Sequence, residues 1–172
     1  MPKPTPKPTS LRDSLARKQR PSRSYRFLTT DPTESEQMLA AAQQELRMAL
    51  LGGDEQRKQA ARETVEQAET AIDQCWHTIK LVSVPAKTFT DLMATHKPTR
   101  EQKQDGAEWN PDTFHPALIA ACAQDERLTA EEWTAEFASD RWSQGERNTL
   151  FNLALDVNIS PSRQPFDRLR LA

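Results

Sequence analysis

Residues 37–75 read QMLAAAQQELRMALLGGDEQRKQAARETVEQAETAIDQC, and this stretch decides the fold. Before the two glycines, Leu39, Ala42, Leu46 and Ala49 or Leu50 recur at steps of three and four. After them, Ala61, Val65, Ala68, Ile72 and Cys75 do the same. That spacing lines one face of an α-helix, and in both segments it forms a heptad-like seam. Gly52-Gly53-Asp54 breaks the pattern, and paired glycines are expected to supply the unusual dihedrals of a tight turn. A connection this short makes the two helices antiparallel neighbours. Alanines on the seam let them approach closely, while the Gln, Glu, Arg and Lys elsewhere predict a hairpin projecting into solvent. Each helix should be roughly 30 Å long. The first should open at Asp31-Pro32-Thr33-Glu34, with Asp31 as cap, Pro32 in the first position and Glu34 completing a capping box.

A hairpin that runs out and back brings its flanks together. Ser24–Thr30 is a short β candidate in which Tyr25, Phe27 and Thr29 share a face. Trp76-His77-Thr78-Ile79-Lys80-Leu81-Val82 is rich in β-branched and aromatic residues and ends before Pro85. Strands 24–30 and 76–83 are therefore expected to pair antiparallel. Two strands alone are marginal in water, so helices or a partner's strand must support them. From Pro85 the helical pattern returns. Phe89, Leu92, Met93 and His96 form a stripe that Lys97-Pro98-Thr99 stops. Residues 99–113 read as polar turns. Phe114–Cys122 reads as a buried helix, and capping boxes at Thr129 and Ser143 open two more. The expected core of this part is Phe89, Leu92, Leu118, Ile119, Cys122, Trp133, Phe137, Leu150, Phe151 and Leu153. The fold class is thus α+β, mostly α: a two-stranded antiparallel β ribbon brackets a long antiparallel helical hairpin, and a C-terminal helical subdomain follows. The expected boundaries are 1–23 for a disordered basic Pro-rich leader, 24–84 for strand–hairpin–strand, 85–158 for the helical subdomain and 159–172 for a tail.

Charge is unevenly spread. Residues 1–26 hold eight basic side chains and one acid, whereas the rest of the 172 residues hold 15 basic and 24 acidic ones. A near-neutral total hides a basic segment on an acidic body. The leader is either an arm for nucleic acid or another acidic partner, or a solvated extension. Four glycines and one tyrosine argue against an all-β sandwich. No run of 18 apolar residues suggests a membrane span, and the first residues lack the apolar stretch of a signal peptide. Two cysteines, Cys75 and Cys122, do not make a disulfide scaffold and fit a reducing compartment.

A search for chemistry finds few parts. His77, His96 and His115 form no metal-ligand spacing with either cysteine, so no metal and no cofactor are expected. Glu131 and Glu132 are neighbours on a helix and diverge by about 100°, so they cannot act as a facing acid and base. No GxSxG, GxGxxG or GxxxxGK[ST] is present, and no enzyme is expected. Trp76, Trp109, Trp133 and Trp142 are read as packing residues.

The order of features resembles a family of tail assembly chaperones from long-tailed phages and prophages of high-GC Gram-positive bacteria. The resemblance covers about residues 20–158. It rests on Arg23-Ser24-Tyr25-Arg26 entering a strand, on the Ala/Glu/Arg-rich hairpin, on Ile79–Pro85 and on Phe89–Thr99. It is strongest over Trp109–Cys122 and is completed by Leu128–Trp133 and Phe151–Asn158. It implies a non-enzymatic protein of the host cytoplasm. Such a protein binds the long, helical, apolar tape-measure protein and keeps it soluble until tail-tube protein polymerises around it. Tape-measure protein is the expected partner; tail-tube protein and self-association come next, nucleic acid and membrane are not expected. The contact surface is expected on residues 34–75, where Met38, Met48 and Leu51 step out of the seam, and second on the strand edge at 76–82, with Trp76 and Ile79. Two alternatives are a structural minor tail or adaptor protein of the virion, and a nucleic-acid-binding module using the basic leader.

Overall fold

The computed structural model describes residues 10–124 and 127–160. Helix α1 (Leu11–Ala16) leads into strand β1 (Ser22–Leu28), and helices α2 (Thr33–Leu51) and α3 (Glu55–Gln74) follow. Strand β2 (Trp76–Val82) returns, and then come α4 (Ala86–Thr95), α5 (Arg100–Gln104), α6 (Pro111–Cys122), α7 (Ala130–Ala138) and α8 (Gln144–Ile159). The chain is α+β and mostly α, with one two-stranded sheet that brackets the helical hairpin. The described residues divide into two compact units: Tyr25–Ile79, and those before Tyr25 together with those from Lys80 onward.

Backbone bonds fix the register of the ribbon. The Thr29 amide donates to the Cys75 carbonyl (2.8 Å), and the Ser83 amide donates to the Pro21 carbonyl (3.0 Å). Tyr25 therefore stands opposite Ile79, and Phe27 opposite His77, with the last two rings 5.3 Å apart. Side chains alternate as a strand requires: Arg23, Tyr25 and Phe27 are buried or half-buried, whereas Ser22, Ser24, Arg26 and Leu28 are exposed.

In the hairpin unit α2 packs against α3. Ala42, Ala49, Ala61, Ala68 and Cys75 are buried, and Leu39, Leu46, Val65 and Ile72 are half-buried. The seam is thus the one the spacing predicts, and Ala49 rather than Leu50 fills its last α2 position.

In the second unit α6 is central, packing against α4, α7 and α8. Phe114, Leu118, Ile119, Leu150 and Ala154 are fully buried, with Cys122 and Val157 close behind. Leu81 of β2 joins this core and bridges antiparallel to Ala123. Pro111 occupies the first turn of α6, where its missing N–H removes nothing, and Asn110 caps the helix by accepting from the Asp112 amide. Trp133 and Phe137 meet at 5.4 Å, as their spacing of four predicts.

Several expectations need correction. The leader was expected to be unstructured through residue 23, but Leu11–Ala16 is helical and β1 begins at Ser22. Ser10 accepts from the Asp13 amide and donates to its carboxylate, a cap that offsets poor helix context. Residues 1–9 and 161–172, the rest of the expected leader and tail, lie outside the described residues. Within the polar 99–113 segment, α5 forms because Thr99 and Gln102 make a reciprocal capping box. Ile159, expected in the tail, ends α8. Phe89, Leu92, Phe137 and Leu153 are half-buried rather than core. Asp31 is not the cap of α2 and Pro32 is not its first residue: Pro32 is the N-cap, without a side-chain cap bond, Asp31 one residue earlier accepts from the Thr33 amide (3.0 Å) and hydroxyl (2.6 Å), and Glu34 makes no box. Gly52 and Gly53 do not adopt the left-handed conformation; among the described residues only Gly106 does. Gly52 ends α2 in an extended conformation, its amide donating to the Ala49 carbonyl (3.1 Å), and the low helix propensity of the pair favours the break.

Candidate partner-binding surface

The hairpin is built to keep two helices at fixed register while leaving one of them partly apolar outside. Asp54 starts α3 by accepting from the amides of Gln56 (2.9 Å) and Arg57 (3.2 Å). Arg57 then reaches across to α2 and donates to Glu45 Oε1 from Nη2 (2.7 Å) and Nε (3.0 Å). Both side chains are more than half exposed, so this link guides register more than it stabilises. At the base, the Cys75 carbonyl accepts from the Thr29 amide and from the Thr29 hydroxyl (2.9 Å).

The exposed large apolar side chains of this unit are unevenly shared. Met38, Met48, Leu50 and Leu51 all belong to α2, and Leu28 and Trp76 to the ribbon, whereas α3 contributes none. Around the α2 axis, Met48 and Leu51 sit roughly 140–160° from the centre of the seam, while Met38 and Leu50 flank it at roughly 60°. Met48 and Leu51 therefore face away from α3 and cannot be finishing its packing. Leu51, at 85% exposure, is the most open. Residues 34–75 carry nine acidic and four basic side chains, so the apolar spots sit on a net negative surface. The outer face of α3 is polar, presenting Glu63, Glu66, Gln67, Thr70 and Gln74.

Of the sequence-predicted contact residues, Met38, Met48, Leu51 and Trp76 are exposed, and Met48 and Leu51 lie together one turn apart. Ile79 is corrected: at 9% exposure it is buried opposite Tyr25 and is not open to a partner. Trp76 is partly covered, since the Arg26 guanidinium lies 5.4 Å from its ring centre and is itself held by Asp73 at 3.0 Å. Leu28 and Leu50 are additional. The spacing left Ala49 and Leu50 open for the last seam position, and Leu50 is exposed because Ala49 takes it; Leu28 was legible as the strand position sharing a face with Arg26.

The second unit offers a different feature, a cleft of about 480 Å³ among α6, α7 and α8 lined by His115, Pro116, Phe137 and Arg147. The His115 ring stacks on Phe151 at 3.5 Å. Burial pushes its pKa below the ordinary histidine value, and the nearby Asp112 carboxylate opposes this in part. Arg147 donates to the Phe137 carbonyl (2.8 Å) and to Gln144 (2.9 Å), tying α8 to the end of α7. Burial raises the Cys122 thiol, and its Sγ accepts from Asn158 Nδ2 at 3.2 Å. A thiol in that setting packs rather than attacks. Among the described residues no group of three or more His, Cys, Asp or Glu side chains converges as metal ligands would.

Comparison with known proteins finds no matching family, curated relative or solved structure.

Proposed function

We propose that this chain is an assembly chaperone of a long-tailed phage or prophage, acting in the host cytoplasm. It binds the tape-measure protein reversibly and keeps it soluble until tail-tube protein encloses it. The sequence resemblance over residues 20–158 supports this reading. So does one structural observation: α2 carries Met48, Leu50 and Leu51 exposed at one end and Met38 near the other, on a hairpin whose remaining exposed surface is largely polar and acidic. A client presenting many similar apolar helical stripes is met by flexible, polarizable methionine and exposed leucine, which tolerate small differences in shape. The acidic surround keeps the loaded complex soluble. A small apolar patch keeps affinity low enough for the polymerising tube to displace the chaperone. Among the described residues no helix is long and apolar enough to cross a membrane.

Co-expression with the tape-measure protein tests the proposal. The tape-measure protein should be recovered in the soluble fraction with this chain and aggregate without it. Equal recovery in both cases overturns the reading. Retained capture after residues 34–75 are replaced by a short turn overturns the choice of surface but not the function.

A further inference from the structure

The chaperone reading leaves two features unused: the Pro-rich basic leader and the cleft of about 480 Å³ among α6, α7 and α8. Pro111, His115, Pro116 and Phe137 give the cleft flat apolar walls, and the His115 ring is held against Phe151 at 3.5 Å. The charged residues among its described lining are Asp112 and Arg147. Arg147 is engaged: Nη1 donates to the Phe137 carbonyl (2.8 Å) and Nη2 to Gln144 Oε1 (2.9 Å). Gln144 Nε2 in turn donates to Asn148 Oδ1 (2.8 Å), which leaves Asn148 Nδ2 as a donor on the cleft wall. Asp112 is exposed and has no ion pair among the described residues. Residues 111–159 carry nine acidic and three basic side chains, so the surround is negative.

We propose that this cleft holds Lys3-Pro4-Thr5-Pro6-Lys7 of the same chain as a polyproline-II segment. The leader has proline at positions 2, 4, 6 and 8, which fixes φ and disfavours helix and sheet. At three residues per turn, Pro2, Thr5 and Pro8 share one edge of the segment. Lys3 with Pro6, and Pro4 with Lys7, share the other two. The ridge between those two edges shows two prolines in the middle and a lysine at each end. Proline rings pack on flat walls such as Phe137 and Pro116, the ordinary way in which such segments are recognised. The segment has few N–H groups and no internal use for its carbonyls, so the Asn148 donor complements it. The lysines meet Asp112 and the negative surround. The five residues read the same in both directions, so either chain direction presents this ridge. The leader enters this unit where Arg20 lines a hollow with Ala120, Ala121 and Cys122, at the opposite end of α6 from Pro111. Residues 3–9 in this form span about 22 Å, against about 18 Å for the whole of α6. This inference stands apart from the chaperone reading.

Fluorescence anisotropy of a labelled peptide of residues 1–9 tests this on the full chain. In the variant Pro4→Gly, Pro6→Gly the tethered segment loses its preset form, so the cleft is open and the peptide should bind. The wild-type chain should bind it about tenfold more weakly, because the tethered copy competes at roughly millimolar effective concentration. A peptide carrying the same two glycines, or Lys3→Glu with Lys7→Glu, should bind several-fold worse than the native peptide. Ala138 ends α7, is exposed and lines the cleft. In the open-cleft variant, Ala138→Arg sets a bulky cation there and should abolish peptide binding with helical circular dichroism unchanged. Asp112→Asn should weaken binding roughly 2- to 5-fold, and decides the location if Ala138→Arg does not fold. No binding to the open-cleft variant at millimolar chain concentration overturns the proposal. Equal affinity for wild type and variant overturns it too, since the cleft would then serve a foreign proline-rich ligand rather than its own leader. So does binding that neither Ala138→Arg nor Asp112→Asn alters.

Discussion

Asn158, in the last turn of α8, accepts from the amide of Val84 at 2.9 Å across 74 residues of sequence. Its Nδ2 donates to the Ala154 carbonyl (2.7 Å) and to Cys122 Sγ (3.2 Å). One amide side chain thus ties the exit of β2, the end of α6 and its own helix together. Replacing it by leucine strands the Val84 N–H away from its acceptor. Asn158→Leu should lower stability by about 1–3 kcal/mol, read as a shift in the denaturation midpoint. Asn158→Asp retains an acceptor for Val84 but loses the donor to Cys122 and Ala154, and should fall between the two.

Glycine substitutions should separate two backbone environments. Gly53 lacks positive φ, and a Cβ there meets nothing within 4 Å. Gly53→Ala should stabilise the chain by about 0.4–1 kcal/mol by restricting the unfolded state. Gly106 has φ of +84°, a conformation costing any L side chain about 1–2 kcal/mol. Gly106→Ala should therefore destabilise even though the space around it is open. Thermal unfolding of the two variants should move in opposite directions.

His115 predicts a pH dependence. Burial against Phe151 lowers its pKa in the folded state, so the unfolded chain takes up the proton first as pH falls. Its contribution is present in full above the ordinary histidine pKa, about 6.5, and is lost as pH drops from there through the lowered folded value. His115→Phe keeps a ring on Phe151 and removes the titration. The difference in midpoint between wild type and variant should be constant above neutral pH and shift in favour of the variant below it. A difference independent of pH between neutrality and mild acid rules out a buried neutral His115.

How much of this was readable beforehand depended on whether the signal was local. The seam from Leu39 to Cys75 is a period repeated over many turns, and only a helical pair satisfies it. The ribbon follows from that hairpin's geometry, and the four-residue capping patterns at Thr129 and Ser143 close as boxes, whereas the one at Asp31–Glu34 does not. The short helices α1 and α5 were missed because each is held by one cap rather than by periodicity. The half-burial of Phe89 and Phe137 was missed because a helical stripe names the inward face but not how much protein lies opposite. Ile79 was placed on a contact edge because a strand's alternation does not reveal which of its faces is covered. The exposure of Leu51 was foreseen from its angle to the seam; that of Leu50 needed the structure, which gave the last seam position to Ala49.

The contact surface itself yields the last prediction. Met48 and Leu51 are one turn apart, 55% and 85% exposed, and turned away from α3. If they only completed the hairpin, replacing them by serine would loosen it. Their position makes that loss small, because surface substitutions away from packed or capped sites change stability by about 0.5 kcal/mol or less. The double variant Met48→Ser, Leu51→Ser should unfold close to the wild-type midpoint, yet leave more of a co-expressed tape-measure protein in the pellet. Leu46→Ser provides the contrast: it sits half-buried in the seam, and its loss should lower the midpoint whatever happens to client capture. A double variant that is stable and still holds the client in solution as well as wild type removes these two residues from the interface. Met38 and Leu50 on α2 and Leu28 and Trp76 on the ribbon are then the exposed apolar side chains of this unit that can meet the client.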